Sequence, residues 1–223
     1  VTDALPVPRR DHRGVFVSFE GGDGVGKSTQ LSLLAEWLEQ RGVEVVRTRE
    51  PGGTTLGQAL RDAVLHGEDV SPRTEALLYA TDRAHHVASV VRPALERGAV
   101  VLTDRYLDSS VAYQGDGRAL GTEEVERLSL WATEGLLPDL TVLLDLDPDV
   151  GLTRLSGAPD RLERAGAEFH RRTRRAYLDR AAAGGTRWLV LDAARPREEV
   201  QAAVRERVAV LLEQLGVPAV GSP

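Results

Sequence analysis

The sequence has no cysteine, no methionine and a single lysine among its 28 basic residues. Without cysteine, disulfides and thiolate metal sites are excluded, and no residue points to an oxidising compartment. No apolar run approaches the ~20 residues of a membrane-spanning helix. Residues 1–13 carry Pro6, Pro8 and a basic cluster but no hydrophobic stretch of signal-peptide length, so a loose N-terminal extension on a cytoplasmic protein is expected. The net charge is −6, and no long basic run stands free of a helical pattern. That balance argues against nucleic acid as the main partner, as the lack of a long apolar run does against a membrane, and it requires anionic ligands to be met by local positive sites. With 223 residues, 42% of them hydrophobic, the chain can build one good core and is short for two.

The one lysine shows where the chemistry lies. Lys27 stands in Gly21-Gly22-Asp23-Gly24-Val25-Gly26-Lys27-Ser28, which fits the phosphate-loop pattern G-x-x-x-x-G-K-[ST]. Residues 15–19 before it read as a buried strand. Residues 29–39 after it place Leu31, Leu34, Trp37 and Leu38 near one helix face. In such a loop the glycines let backbone N–H groups form an anion nest at a helix N-terminus; with Thr29 opening the helix, the loop would cradle a nucleotide triphosphate. Lys27 would reach the β- and γ-phosphates, and Ser28 would hold Mg2+. A compact ammonium enters that nest where a planar guanidinium is too wide, so the arginine bias of the chain stops here.

The remaining chain alternates. Strands are expected at 43–48, 99–103, 140–144 and 187–191, and helices at 55–65, 71–96, 107–113, from 122, 148–155, 167–183 and 196–215. Five hydrophobic strands separated by helices predict an α/β fold: a five-stranded parallel sheet with helices on both faces. Residues 14–215 would form the domain and 216–223 a fraying tail. Ligands of such sheets bind at the carboxyl ends of the strands. There the sequence delivers Arg49 and Arg61 around the loop after the second strand, Tyr79 and Arg83 four residues apart on one helix, and Asp104-Arg105 after the third strand. Taken singly, Tyr79 reads as core, Arg83 as a solvated helix charge and Asp104-Arg105 as an ion pair. Their joint placement suits an acceptor with its own phosphate and a flat base.

Four ordered motifs carry a closer resemblance: residues 19–30, Arg49-Glu50-Pro51-Gly52-Gly53-Thr54, residues 77–83, and Asp104-Arg105-Tyr106-Leu107-Asp108-Ser109-Ser110-Val111-Ala112-Tyr113-Gln114. The chain resembles the thymidylate kinases, which phosphorylate dTMP to dTDP with ATP and Mg2+, over about residues 14–215. The resemblance implies a P-loop nucleoside monophosphate kinase fold, a homodimer and a lid at about 155–165. It implies that Tyr79 covers the thymine ring, Arg83 meets its O4, Ser110 and Gln114 border the base edge, and Tyr113 faces C2′. Arg49, Arg61 and Arg105 would lie near the acceptor phosphate, Asp23 near the 3′-hydroxyl, and Asp104 by magnesium-bound water. Lys27, Arg105, Asp23 and a lid arginine would do the catalytic work of positioning and neutralising charge.

Two departures from the family pattern stand out. Tyr79 occupies a position that is often phenylalanine, and Gly24 stands where members with an arginine-poor lid place a phosphate-loop arginine. Residues 155–160 have no basic side chain. By elimination the lid duty falls to Arg161, ahead of Arg154 and Arg164. The helix bearing Arg171, Arg172, Arg174 and Arg175 reads as a partly solvated face with ion pairs. The same loop and lid would also serve a kinase for another nucleoside monophosphate, or a nucleotide-binding protein without turnover.

Overall fold

The computed structural model describes residues 12–155 and 159–216. The expected extension over 1–13 and tail over 216–223 lie almost wholly outside these residues, as do positions 156–158 of the expected lid. Strand β1, Val15–Glu20, runs into the phosphate loop, and helix α1, Lys27–Glu39, leaves it. Then come β2 (Val45–Arg49), α2 (Thr55–His66), α3 (Pro72–His86), α4 (Arg92–Glu96) and β3 (Val100–Asp104). The second half comprises α5 (Leu107–Ser110), α6 (Thr122–Ala132), β4 (Leu140–Asp145), α7 (Pro148–Thr153), α8 (Ala167–Ala183), β5 (Trp188–Asp192) and α9 (Arg197–Gln214).

The strands form one parallel sheet in the order β2, β3, β1, β4, β5, which places the phosphate loop at the middle of its carboxyl edge. Alternation along β1 shows why both faces are covered. Val15, Val17 and Phe19 join Leu31, Leu34 and Leu38 of α1 and Val204 and Val208 of α9 in one cluster. Phe16 faces the other way, to Val87, Val91, Leu95, Tyr106 and Val125. A strand buried on both sides carries apolar residues on both faces, and in β1 only Ser18 and the terminal Glu20 depart from that.

The single helix expected over 71–96 is interrupted. Residues Val87–Val91 form a π-helical turn between α3 and α4. Pro93 lacks the N–H that would continue the regular ladder, so the backbone reaches one residue further there. Residues Val111–Gly117 form a second π turn after α5. The first packs into the core with Phe16 and Leu95, and the second contributes Tyr113 and Gln114 to a cavity at the carboxyl edge of the sheet.

Glu20, the last residue of β1, is fully buried. It accepts hydrogen bonds from Tyr106 N–H at 2.8 Å, Ser109 Oγ at 2.6 Å and Tyr177 Oη at 3.0 Å, joining β1, α5 and α8 beneath the cleft. Burial, then the neighbouring charge of Asp108, raise its carboxyl to about 7. The unfolded chain ionises near 4.5 and the folded one only near 7, so the stability Glu20 contributes is present below the first value and lost through the second. Glu20→Gln, which stays neutral, is therefore expected to gain stability over the wild type across that window, by at most ~3 kcal/mol. Urea midpoints of both proteins against pH check this. A difference that is flat with pH would mean that Glu20 does not carry the shift.

Candidate active site

Two cavities open at the carboxyl edge of the sheet. The first is bordered by Gly24, Gly26, Lys27, Ser28 and Thr29 of the phosphate loop, with Arg49 and Asp104 at the ends of β2 and β3. Gly21, Gly22 and Val25 instead face a small space against Leu144, Asp145 and α8, so they support the loop from behind. Lys27 is buried, its ammonium donating to the Gly21 and Gly22 carbonyls. Burial, then Arg105, lower its pKa to about 8, against the pull of Asp104 and Asp23. Ser28 Oγ donates to Asp104 Oδ2 at 2.6 Å. Among the described residues no group of three or more acidic, His or Cys side chains gathers to hold a metal. The Ser28 hydroxyl and Asp104 carboxylate are nevertheless the hard oxygen pair that suits Mg2+ when phosphates and water complete its shell.

The second cavity is lined by Tyr79 and Arg83 of α3, Ser110 at the end of α5, Tyr113 and Gln114 of the following π turn, and Leu162. The i,i+4 spacing does put Tyr79 and Arg83 at one site. Arg83 is 1% exposed and thus no solvated charge. Its guanidinium donates to Glu50 at 2.7 Å, Ser129 at 3.2 Å, the Tyr106 carbonyl at 3.3 Å and Ser110 at 2.9 Å. Tyr79 is 8% exposed, within a cluster that includes Tyr113, Phe169 and Tyr177. Burial first, then Glu75, push its phenol upward.

Asp23, Glu50, Arg61 and Arg105 border both cavities. Arg105 has φ 70°, a left-handed conformation rare for a residue with a side chain. Its N–H bonds the Phe19 carbonyl at 2.9 Å and its carbonyl accepts from Thr103 Oγ1 at 2.9 Å, so β1 and β3 hold the conformation. The guanidinium pairs with Asp23 and donates to the Gly21 carbonyl at 3.0 Å and to Tyr113 Oη at 3.3 Å. Burial raises the Asp23 carboxyl, but Arg105 and Lys27 outweigh it and hold the group below its ordinary value. Tyr113 Oη also donates to Asp23 at 3.2 Å, and its ring packs edge-on against Phe169 and Tyr177. Arg61 donates to the Pro51 carbonyl at 3.1 Å. The Glu50-Pro51 bond is cis.

The structure does not bring Arg161 to the phosphate loop. It is 7% exposed, with Nη1 at 2.8 Å from Glu75 and Nε donating to the Val64 carbonyl at 2.8 Å. Elimination along the chain counted basic residues and could not see the buried acid that captures this one. Arg154 caps α7 and reaches the Ala193 carbonyl at 3.4 Å, while Arg164 donates to the Pro159 carbonyl. The absence of a phosphate-loop arginine also has a local cause. Gly24 has φ +72°, and a Cβ there would lie 2.0 Å from the Gly151 carbonyl oxygen. The close approach of α7 leaves that position to glycine. On α8, Arg171 pairs with Asp149 and Arg174 forks onto Asp145 at 2.7 and 2.9 Å, the ion-paired face that the sequence suggested.

Sequence reasoning missed the buried acids. Glu50 receives Arg83 and His86, and Asp108 receives Arg180 at 2.6 Å and Arg187 at 2.9 Å. Glu75, with no exposed surface, receives Arg161, Arg118 and Gln114. One signal was available: Glu75, Tyr79 and Arg83 are successive i,i+4 positions, so the spacing that joined the last two also includes the first.

Comparison with known proteins agrees with this architecture. Residues 19–204 match the family model described as thymidylate kinase. A protein of Clavibacter sepedonicus named thymidylate kinase is 63% identical over 203 residues, covering 89% of this chain and 96% of that protein. Proteins of the same name from Bifidobacterium longum subsp. infantis and a Synechococcus strain are 56% and 51% identical, over 89% and 85% of this chain and 88% and 93% of theirs. With the phosphate loop, the arginine-lined second cavity and the match over most of its length, the chain belongs to the thymidylate kinase family.

Proposed function

We propose that the protein transfers the γ-phosphoryl group of ATP to the 5′-phosphate of dTMP, giving dTDP and ADP. The observation that carries this reading is the junction of the two cavities. A phosphate loop borders one, an aromatic and arginine-lined pocket forms the other, and Asp23, Arg61 and Arg105 border both. A transfer between two bound phosphates needs that juxtaposition. An oxygen of the acceptor phosphate forms the new bond to the γ-phosphorus as the bond to the β,γ-bridging oxygen breaks. Negative charge sits on the transferred group throughout, so positioned cations matter more than a strong base. Lys27 serves the β- and γ-phosphates, and Arg105, with Arg49 and Arg61, serves the acceptor phosphate. Mg2+, held by Ser28 and water oriented by Asp104, would neutralise donor phosphate charge. Asp23, ionised beside Arg105, faces the sugar 3′-hydroxyl. A cytoplasmic setting fits an enzyme that meets ATP and a free nucleotide.

Tyr79 stacks on the thymine ring, Arg83 meets O4, and Ser110 and Gln114 border the base edge. Homodimerisation is supported by Leu77 on α3, 55% exposed, and Trp131 on α6, 81% exposed, apolar side chains on helices that pack together.

Lys27→Ala is expected to lower kcat on the order of 10³-fold in a folded protein, since its ammonium serves phosphates and not the core. Coupled ADP release across a panel of nucleoside monophosphates measures this and ranks the acceptors. Normal turnover by a folded Lys27→Ala protein would remove the kinase assignment, and a preference for another monophosphate would remove dTMP. Tyr113 forms a rigid wall, held by two hydrogen bonds and two aromatic contacts. It should therefore exclude a 2′-hydroxyl sterically. The preference for dTMP over its ribose counterpart is expected to shrink about tenfold in Tyr113→Ala and to persist in Tyr113→Phe. Equal preferences in all three proteins would place the wall elsewhere.

A further inference from the structure

Glu75 lies outside the acceptor cavity yet touches a residue that lines it. Gln114 Nε2 donates to Glu75 Oε1 at 2.7 Å. Arg118 holds the same carboxylate through Nε at 3.3 Å and Nη2 at 3.1 Å, and Arg161 holds the other side at 2.8 Å. A carboxylate paired with two guanidinium groups accepts and does not donate, so only the amide nitrogen of Gln114 can face it. The amide oxygen is then the Gln114 atom left for the cavity. Arg83 lines the same cavity, and four bonds occupy four of its N–H groups, leaving one donor on Nη1.

The lining of one pocket thus holds both a free donor and a free acceptor. We propose that Glu75 is a positioning residue for base selection, fixing the Gln114 amide so that the pocket accepts a 4-oxo pyrimidine bearing a ring N–H and rejects a 4-amino pyrimidine. Thymine offers O4 to Arg83 and its N3–H to Gln114 Oε1. Cytosine offers an amino group and a bare N3, which set donor against donor and acceptor against acceptor. A buried mismatch of this kind is a strong rejection, and it lasts only while the amide cannot turn over. The buried, doubly paired Glu75 prevents the turn. This inference rests on the proposed phosphorylation of dTMP.

The test is the ratio of kcat/KM for dTMP and dCMP in the wild type, Glu75→Gln, Glu75→Asp and Gln114→Met. Glu75→Gln lets the amide face the pocket either way round. Glu75→Asp keeps the charge for the arginines while withdrawing from Gln114, and it serves if the first variant does not fold. The dTMP preference is expected to fall about tenfold or more in either variant, through a higher dTMP KM with kcat and the ATP KM little changed. In a Gln114→Met background Glu75→Gln should cause no further fall, because the amide it steers is gone. An unchanged ratio, an equal loss for both nucleotides, or a full effect in the Gln114→Met background would assign Glu75 a structural role only. A wild type that prefers dCMP would overturn the dTMP reading and this inference together. A wild type that prefers dTMP, with variants that keep the ratio, overturns the inference alone.

Discussion

The contact between Arg105 and Asp23 joins the two halves of the site. It ties the end of β3 to the phosphate loop after β1, although the residues are 82 positions apart in the chain. The geometry is demanding, since Arg105 must adopt a left-handed backbone to aim its guanidinium back across β1. Strain of that sort persists only where the surroundings over-determine it. Here they do: backbone bonds from both strands, the Gly21 carbonyl, and the hydroxyls of Ser109, Tyr113 and Tyr177 all meet this one residue. A cation fixed between two cavities before any ligand arrives needs no reorganisation when phosphates bind.

Other arginines around the site are held by buried acids. Arg83 is balanced by Glu50, Arg118 and Arg161 by Glu75, and Arg180 and Arg187 by Asp108, all inside the protein. Buried ion pairs are weak contributors to net stability, because desolvation offsets most of their attraction. Their consequence is geometric. Each acid fixes the position of the guanidinium it holds, and Arg161 is thereby kept from the phosphate loop. Arg161 shows the effect most plainly, since a residue with no local partner in the sequence is held by an acid 86 positions earlier.

Much of this architecture was legible. Strand-loop-helix punctuation around Gly21 to Ser28 depends on local propensity and short-range periodicity. Those are properties of neighbouring residues, and the five strands, their parallel arrangement and the phosphate loop followed from them. The placement of Tyr79 with Arg83 was readable for the same reason, since four residues make one helical turn. The break at Val87–Val91 was less so: Pro93 marked it, but whether a proline kinks a helix or widens one turn is decided by what packs around it.

By itself, then, the sequence determined the sheet, the phosphate loop and the strand ends that form its carboxyl edge, because periodicity and loop chemistry act over a few residues. Only the tertiary structure decided which cations remain available at that edge. Pairing of buried charges links residues such as Glu75 with Arg161 and Asp108 with Arg187, which no local pattern relates. The same holds for Gly24, whose identity is required by the backbone of α7 more than a hundred residues later. Steric and electrostatic fit between distant segments exists only once the chain has closed.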